Sequence, residues 1–497
     1  MSFQVKNSLG NTIQTINLSK DIPISWYSCG PTVYDSAHLG HARTYITFDI
    51  IRRILEHYGF SIIYAMNITD IDDKIIKRVK DNDLDYMTFV NVMTHSFFSD
   101  MDKLNVMRPT IVTRVTDYIP DIISYIQQIE GNGFAYESNG SVYLDTQKFK
   151  KAGYQIHPLK GHQQEDDYTE NDFIEEKRHK NDFVLWKKKK EDGEIFFSSP
   201  WGDGRPGWHI ECSVMTRMIF GDHFNIHSGG IDLNFPHHNN EIIQAQAYAN
   251  QNNNDFNWVE YFLHSGHLNI DGQKMSKSLK NFISIKDYLT NIGTGQELRM
   301  LFLLHRWDKV LDYTTASLEE AKSFDKKFIN VLDALQSEVR KEKTKTWIGP
   351  DDVKYIMSLM ELQNKIDKHL HDNFNTSSVI KDLFNHTSVV FNYLDKEYHP
   401  QYIRNFYHYY QKILNMLGLN YANKQQDDGK TDQAIDVAVG LRNDIRNLVL
   451  KDKNKMDKDT FNEFMKIMDD FRDQKLNSLG VKIEDKKNSD VRWTFTN

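Results

Sequence analysis

SWYSCGPTVYDSAHLGHARTYITFDIIRRILEHYGFSIIYAMNITDIDD, residues 25–73, carries the topological signal of the chain. Residues 25–29 read as a short strand and Gly30-Pro31 as a turn. A helix follows, because Ile46, Ile50, Ile51, Ile54 and Leu55 recur on one face at helical spacing until Gly59 ends it. Residues 61–68 are apolar enough to lie buried in a parallel sheet, and Thr69-Asp70-Ile71-Asp72-Asp73 supplies the polar residues that open another helix. The order β-α-β-α predicts an α/β fold built on a parallel sheet.

From about 90 to about 195 the chain turns polar and less periodic, as expected of a module inserted into that sheet. Strand and helix signals return at Trp208: a strand at 223–228 ending in Gly229-Gly230, a helix at 241–248 and a strand at 261–270. After residue 285 the pattern becomes a series of amphipathic helices at 298–307, 318–335, 356–370, 379–394 and 403–417, which predicts a helical bundle. Residues 422–432 read as a linker. Beyond them lies a small charged module with helices at 435–450 and 460–477 and a strand-like 481–483.

Composition narrows the function classes. At 497 residues the chain is too long for one core, and its apolar share of 39% is that of a globular protein. No apolar run approaches the ~18 residues of a membrane span. The first 25 residues, with Gln4, Asn7, Asn11, Gln14 and Asn17, read as neither a secretory nor a transit signal, so a cytoplasmic location is expected. A net charge of −8 means that any nucleic-acid contact must use a local basic surface. The two cysteines, Cys29 and Cys212, favour metal or catalytic duty over a bridge in a reducing compartment.

Two motifs point to phosphate chemistry. His38-Leu39-Gly40-His41 sits between a strand end and a helix start, where backbone N–H groups and the helix dipole favour an anion and two imidazoles can donate to a polyphosphate. Lys274-Met275-Ser276-Lys277-Ser278 follows Asp271-Gly272 and places two ammonium groups on one loop, suited to closing on pyrophosphate and stabilising developing charge. Each alone has a plain alternative, a helix-capping turn or a surface lysine loop. Their joint occurrence at strand ends of one sheet sets those alternatives aside.

Here the chain resembles the class I aminoacyl-tRNA synthetases, whose HIGH and KMSKS signatures appear as HLGH and an unmodified KMSKS. The blocks CGPTVYD (29–35), NITDIDD (67–73), PGWHIEC (206–212) and FPHHNNE (235–241) are similar to those of the cysteinyl-tRNA synthetases in particular, closely from about residue 20 to about 320. The resemblance implies a Rossmann-type catalytic domain in two halves, 1–90 and 196–265, split by a connective insertion at 91–195. A KMSKS loop and stem-contact region at 266–320, a tRNA-binding helical bundle at 321–421 and a small carboxyl-terminal module at 433–497 complete it.

In that family the positions of Cys29, Cys212, His237 and Glu241 bind one Zn²⁺ per chain, which contacts the substrate side chain. The residue types suit the metal: His237 and Glu241 are four apart on one predicted helix face, and with two thiolates they make a Cys₂-His-Glu set. Spacing by itself equally allows a surface i,i+4 pair and two small buried hydrophobes. Thiolate is a softer ligand for zinc than the hydroxyl of serine, so such a site discriminates beyond what pocket size alone allows.

Thr69, Trp208 and His227 match family positions near the bound amino acid, Trp208 being expected on a flexible Gly-Pro-Gly loop, while Asp232 is assigned to ribose or to the α-amino group. His38, Gly40, His41 and Lys277 are expected to bind ATP with its Mg²⁺, and His38, His41, Lys274 and Lys277 to act in adenylyl transfer. Residues 372–376 are read as a helix cap and Lys187–Lys190 as a solvated run or an RNA contact. Leu39 replaces isoleucine at small cost, Pro31 and DIIRR (49–53) look eukaryotic in type, and the tail departs most from the family. The implied activity is charging of tRNA(Cys) with L-cysteine by a monomer or homodimer. An amine-accepting relative and a silent tRNA-binding protein are the competing assignments.

Overall fold

The computed structural model describes residues 2–154, 159, 174–190, 194–250, 257–275, 281–340, 346–396, 398–421, 430–485 and 491–495. Its organising element is a five-stranded parallel sheet of β1 (Ile24–Ser28), β2 (Ile62–Ile68), β3 (Ile111–Arg114), β4 (Phe224–Gly230) and β5 (Val259–Ser265), in the order β5-β4-β1-β2-β3. Helix α1 (Leu39–His57) links β1 to β2, while α2 (Trp208–Phe220) and α3 (Asn239–Ala249) flank β4 in sequence. Tyr27, Ala65, Ile210, Val214, Ile242 and Phe262 pack into one buried core, which is why these strands read as continuous apolar runs.

The order of strands reverses between β1 and β4, so a crevice opens at their carboxyl ends. Register places Ser28 beside both Ser228 and Met66, and hence the next residues, Cys29, Gly229 and Asn67, at one edge. Gly30 is required there. A Cβ on it would lie 1.6 Å from the Asn67 carbonyl oxygen, so only glycine lets the chain leaving β1 pass so close to β2.

The edge strand β3 comes from within 91–195, and at four residues between polar flanks it offers no alternation to read. The remainder of that stretch contributes to a four-stranded antiparallel sheet of Ala135–Ser138, Ser141–Leu144, Phe183–Lys188 and Gly204–Pro206. The expected strand at 261–270 is two strands. Gly266 divides them because its backbone crosses that of Lys309, whose carbonyl oxygen would lie 2.0 Å from a Cβ; Leu268–Ile270 instead joins a small sheet with Gln273–Lys274 and Leu311–Tyr313.

The chain divides into two compact units. The first is Met1–Lys322 with Lys365–Ile380 and Met416–Gly418, and the second Ser323–Asn364, Lys381–Asn415 and Leu419–Asn497. Within the first, α1 carries two buried charge anchors. Asp49 accepts from Arg299 Nη1 (2.6 Å), Arg53 Nε (2.8 Å) and the Met107 amide (2.8 Å), and Arg299 also donates to the carbonyls of Leu104 and Asn105. Arg43 donates to the carbonyls of Phe302, Arg306 and Trp307, at and just beyond the end of helix Gly295–Leu303, where a cation offsets the helix dipole.

The second unit takes most of helices Thr315–Arg340, Pro350–His371, Thr376–Leu394 and Pro400–Met416, together with Lys430–Lys451, Lys458–Asp470 and the hairpin Val481–Asp485/Val491–Phe495. Its hydroxyl-to-acid pairs, such as Tyr393 with Asp352 and Tyr398 with Glu338, are buried, and Val439, Leu476, Val481, Ile483 and Trp493 form a small core of their own.

Arg299→Met removes one of the two guanidinium partners of buried Asp49, leaving Arg53, and takes the Arg299 donor from the Leu104 and Asn105 carbonyls. The expected cost is about 2–3 kcal/mol, seen as a lower urea midpoint, whereas an exposed pair such as Lys77–Asp81 should contribute under about 1 kcal/mol by the same assay.

Candidate active site and metal centre

His38 and His41 begin α1 as a reciprocal cap. His38 Nδ1 accepts from the amides of Gly40 (3.1 Å) and His41 (3.4 Å), while His41 Nδ1 accepts from the His38 amide (3.3 Å), with the rings stacked 3.8 Å apart. An Nδ1 that accepts leaves the ring proton on Nε2, the geometry of a neutral donor. Burial pushes His38 down to about 4, and burial followed by the neighbouring His38 holds His41 well below its ordinary range, so both rings are uncharged at neutral pH. Gly40 is confined by the same cap, since a Cβ there would meet His38 Cε1 at 2.8 Å.

The first two residues of the second signature come beside the first. Lys274 ends the short strand Gln273–Lys274, and Met275 Cε lies 3.4 Å from the Cβ position of Gly40. Downstream, the Leu39 amide donates to the Ile283 carbonyl, the Ile285 amide donates to the Ala37 carbonyl, and Phe282 packs edge-on against His38. Lys277 lies outside the described residues.

Opposite, at the ends of β1 and α2, the four expected metal donors converge, all buried. Cys29 Sγ is 3.7 Å from Cys212 Sγ, 3.5 Å from His237 Nε2 and 4.0 Å from Glu241 Oε1, and His237 Nε2 is 3.0 Å from Glu241 Oε1. A tetrahedral zinc bonded at about 2.3 Å to sulfur and about 2.0–2.1 Å to nitrogen sets the S···S edge near ~3.7 Å and the S···N edge near ~3.6 Å. The donors fit. Without a cation, burial raises the Cys29 thiol and the Glu241 carboxyl and lowers His237, each toward its neutral form; a divalent ion reverses the first two and selects the free imidazole. A second set, Cys29, His227, His238 and Glu241, also clusters, with His238 Nε2 3.3 Å from Cys29 Sγ, but it holds one thiol instead of two.

A shell of imidazoles supports the donors. His209 Nδ1 is 2.9 Å from His237 Nδ1, which leaves His237 Nε2 for the metal, and burial keeps His209 neutral by driving it down to about 3. His227 Nε2 is 2.8 Å from Glu241 Oε2, and His238, His264 and Ser8 form a relay with links of 2.8 and 2.7 Å. Sequence reasoning missed His209, His238 and His264. The available signal was histidine within or beside apolar runs, as in Tyr261-Phe262-Leu263-His264, where an unpaired ring would be costly.

The remaining expected residues have distinct placements. Thr69, at the end of β2, accepts from Asn67 Nδ2 and donates to Glu211. Trp208 is the first residue of α2 rather than part of a flexible loop, because Gly204–Pro206 pairs as a strand with Trp186–Lys188 and Gly207 is the helix N-cap; the indole lies 4.3 Å from the His237 ring. His227 is fully buried behind Glu241. Asp232 is exposed just past β4, near His267. Lys187 and Lys188 are paired with Asp73 (3.0 Å) and Glu176 (2.8 Å). In 372–376, Asn375 Oδ1 caps helix Thr376–Leu394 through the Ser378 amide, and Asn373 Oδ1 holds the Lys6 amide.

Residues 15–323 match the family model described as tRNA synthetases class I (C) catalytic domain. The chain is 40% identical to the cytoplasmic cysteine–tRNA ligase of Dictyostelium discoideum, over 95% of this chain and 74% of that one. It is 39% identical to the cysteine–tRNA ligase of Encephalitozoon cuniculi, over 99% and 98%. Among solved structures, a Mycobacterium tuberculosis methionyl-tRNA synthetase superposes with a TM-score of 0.58 at 12% identity, covering 80% of this chain and 89% of that one.

Two outcomes are expected from this geometry. Elemental analysis should find one zinc per chain, and His209→Phe should weaken its retention against a chelator by about 10- to 100-fold with the fold intact. Because His38 falls from an unfolded value of about 6.5 to about 4, its share of stability is complete above pH 6.5 and is lost as the pH drops toward 4, on the order of 3 kcal/mol. His38→Asn, which keeps a capping acceptor, should therefore lose less stability than wild type between pH 6.5 and 4 in urea titrations.

Proposed function

The chain belongs to the cysteine–tRNA ligase family of class I aminoacyl-tRNA synthetases, and on that footing we propose how its own residues divide the work of activating L-cysteine with Mg-ATP and charging tRNA(Cys). The observation that carries the assignment is the meeting, at one switch point, of an anion-binding helix start with a buried two-sulfur donor set. Tyr45 of α1 joins the two halves through its hydroxyl, which donates to the Cys29 carbonyl at 3.3 Å.

In the first step the cysteine carboxylate attacks the α-phosphorus of ATP, and pyrophosphate leaves. The terminal ribose hydroxyl of the tRNA then takes the acyl group and AMP departs. No protein nucleophile is required. His38 and His41 present uncharged Nε2–H groups to the phosphates, the α1 amides near Gly40 contribute their dipole, and Lys274 and Lys277 offset charge on the departing pyrophosphate. Asp232, exposed just past the end of β4, takes the ribose or the α-amino group.

Cys29, Cys212, His237 and Glu241 would hold zinc, which when bound supplies a soft acid that takes the substrate thiolate and disfavours the hydroxyl of serine. Trp208 walls the pocket beside His237, Thr69 lines it from β2, and His227 orients Glu241. No described helix is long and apolar enough to cross a membrane, and we assign a cytoplasmic monomer or homodimer.

The test is pyrophosphate exchange with cysteine and serine side by side, followed by charging of tRNA(Cys). Cysteine-dependent exchange with serine at least about 100-fold poorer is expected, and exchange with neither refutes the assignment. Lys277→Ala should lower the exchange kcat by about 10²–10³-fold with the KM for cysteine nearly unchanged. Gly40→Ala, which drives the His38 ring from its cap, should raise the KM for ATP.

A further inference from the structure

Asn67 is a buried side chain to which the steps above give no part; it is 1% exposed. Main-chain pairing between β1 and β2 stops at Ser28 beside Met66 and resumes past the strand ends, at Thr32 beside Thr69. There the Thr69 amide donates to the Pro31 carbonyl at 3.1 Å, and the Val33 amide to the Thr69 carbonyl at 3.2 Å. Between these points three residues, Cys29 to Pro31, oppose two, Asn67 and Ile68. The extra residue is a bulge, which interrupts the ladder and re-aims the side chains beside it.

One carboxamide closes the interruption. Asn67 Oδ1 accepts from the Gly30 amide at 2.8 Å, and Nδ2 donates to Thr69 Oγ1 at 3.1 Å. A backbone amide can only donate, so the oxygen must face Gly30 and the nitrogen is left for Thr69. Thr69 Oγ1 is thereby made an acceptor and keeps its own proton for Glu211 Oε2, 3.3 Å away; a carboxyl oxygen takes that bond in either protonation state. Each rotor from Gly30 to Thr69 is thus set, in a buried place where an unmade bond is costly. Gly30 directly follows the metal-site cysteine, and Thr69 is the wall assigned to the amino-acid pocket.

We propose that Asn67 is a positioning residue for the amino acid: its carboxamide holds Thr69 and the Cys29-Gly30 corner in one fixed relation, so the pocket is formed before cysteine arrives. The assignment rests on the cysteine-activating role given above. Among the described residues the hydrogen bonds of the Asn67 side chain go to Gly30, Thr69 and the Cys212 thiol, and none goes to the His38–His41 cap, so the affinity for ATP serves as an internal control.

The KM values for cysteine and for ATP are measured by pyrophosphate exchange in wild type, Asn67→Ala, Thr69→Val and the double variant, with zinc content and melting temperature recorded for each. Asn67→Ala should raise the KM for cysteine by about 10-fold at equal zinc content, with the KM for ATP changed less than about twofold. Because Asn67 acts through Thr69, the double variant should be no more than about threefold worse than the poorer single variant. A residue that only supports the fold would lower the melting temperature and leave the KM for cysteine where it was. That outcome, an equal rise in both KM values, or fully additive losses would each overturn the role of Asn67 and leave the enzyme assignment standing. Wild type without cysteine-dependent exchange overturns both. Should Asn67→Ala fail to fold, Asn67→Asp keeps the acceptor for Gly30 but offers Thr69 no proton; a rise of about 10-fold in the KM for cysteine is expected again, and an unchanged value is equally decisive.

Discussion

Two sulfurs from positions 183 residues apart lie 3.7 Å from each other in a buried place, beside an imidazole and a carboxylate. Much of the architecture serves that juxtaposition. β1 must run parallel between β2 and β4 to deliver Cys29 to the switch point, α2 must start at Trp208 to present Cys212, and the π-turn and helix spanning Asn234–Ala249 must bring His237 and Glu241 back over β1. Cys29, His237 and Glu241, each driven toward its neutral form by burial, gain nothing from such closeness alone. A divalent cation held there would cross-link β1, α2 and α3.

The parallel sheet was legible because buried strands of this type are continuous apolar runs, and α1 because its isoleucines repeat every three to four residues. The four donors were legible as family positions, and the geometry agrees with zinc without containing it. Other features had no local signal. β3 is four residues long, the division at Gly266 depends on a backbone that arrives from residue 309, and the start of α2 at Trp208 depends on Gly204–Pro206 finding a distant partner strand, Trp186 pairing with Pro206. The histidine shell was hidden for a related reason: whether His209 or His264 is a satisfied core residue or a support for a ligand is decided by which ring stands opposite, a matter of tertiary structure.

The two nucleotide motifs also prove to be parts of one assembly. α1 contributes the His38–His41 cap at its start, Tyr45 to the Cys29 carbonyl one turn on, and Arg43 and Asp49 to the helix Gly295–Leu303 and its surroundings. That helix leads into Leu311–Tyr313, which pairs with Leu268–Ile270 and through it with Gln273–Lys274. α1 is thus tied, through described contacts, both to its own cap and to the small sheet that holds Lys274.

The pairing of Leu39 with Ile283 and of Ala37 with Ile285 has a kinetic meaning. Lys274 is held on one side by its small sheet, and the described chain is fastened again at the start of α1 through Ile283 and Ile285, so Lys274 sits close in sequence to two fixed points. Closure entropy grows slowly with circuit size, and for so few residues most of it has been spent on folding. A Lys274 ammonium tethered in this way would meet an anion bound at the start of α1 at the high effective molarity of an intramolecular encounter.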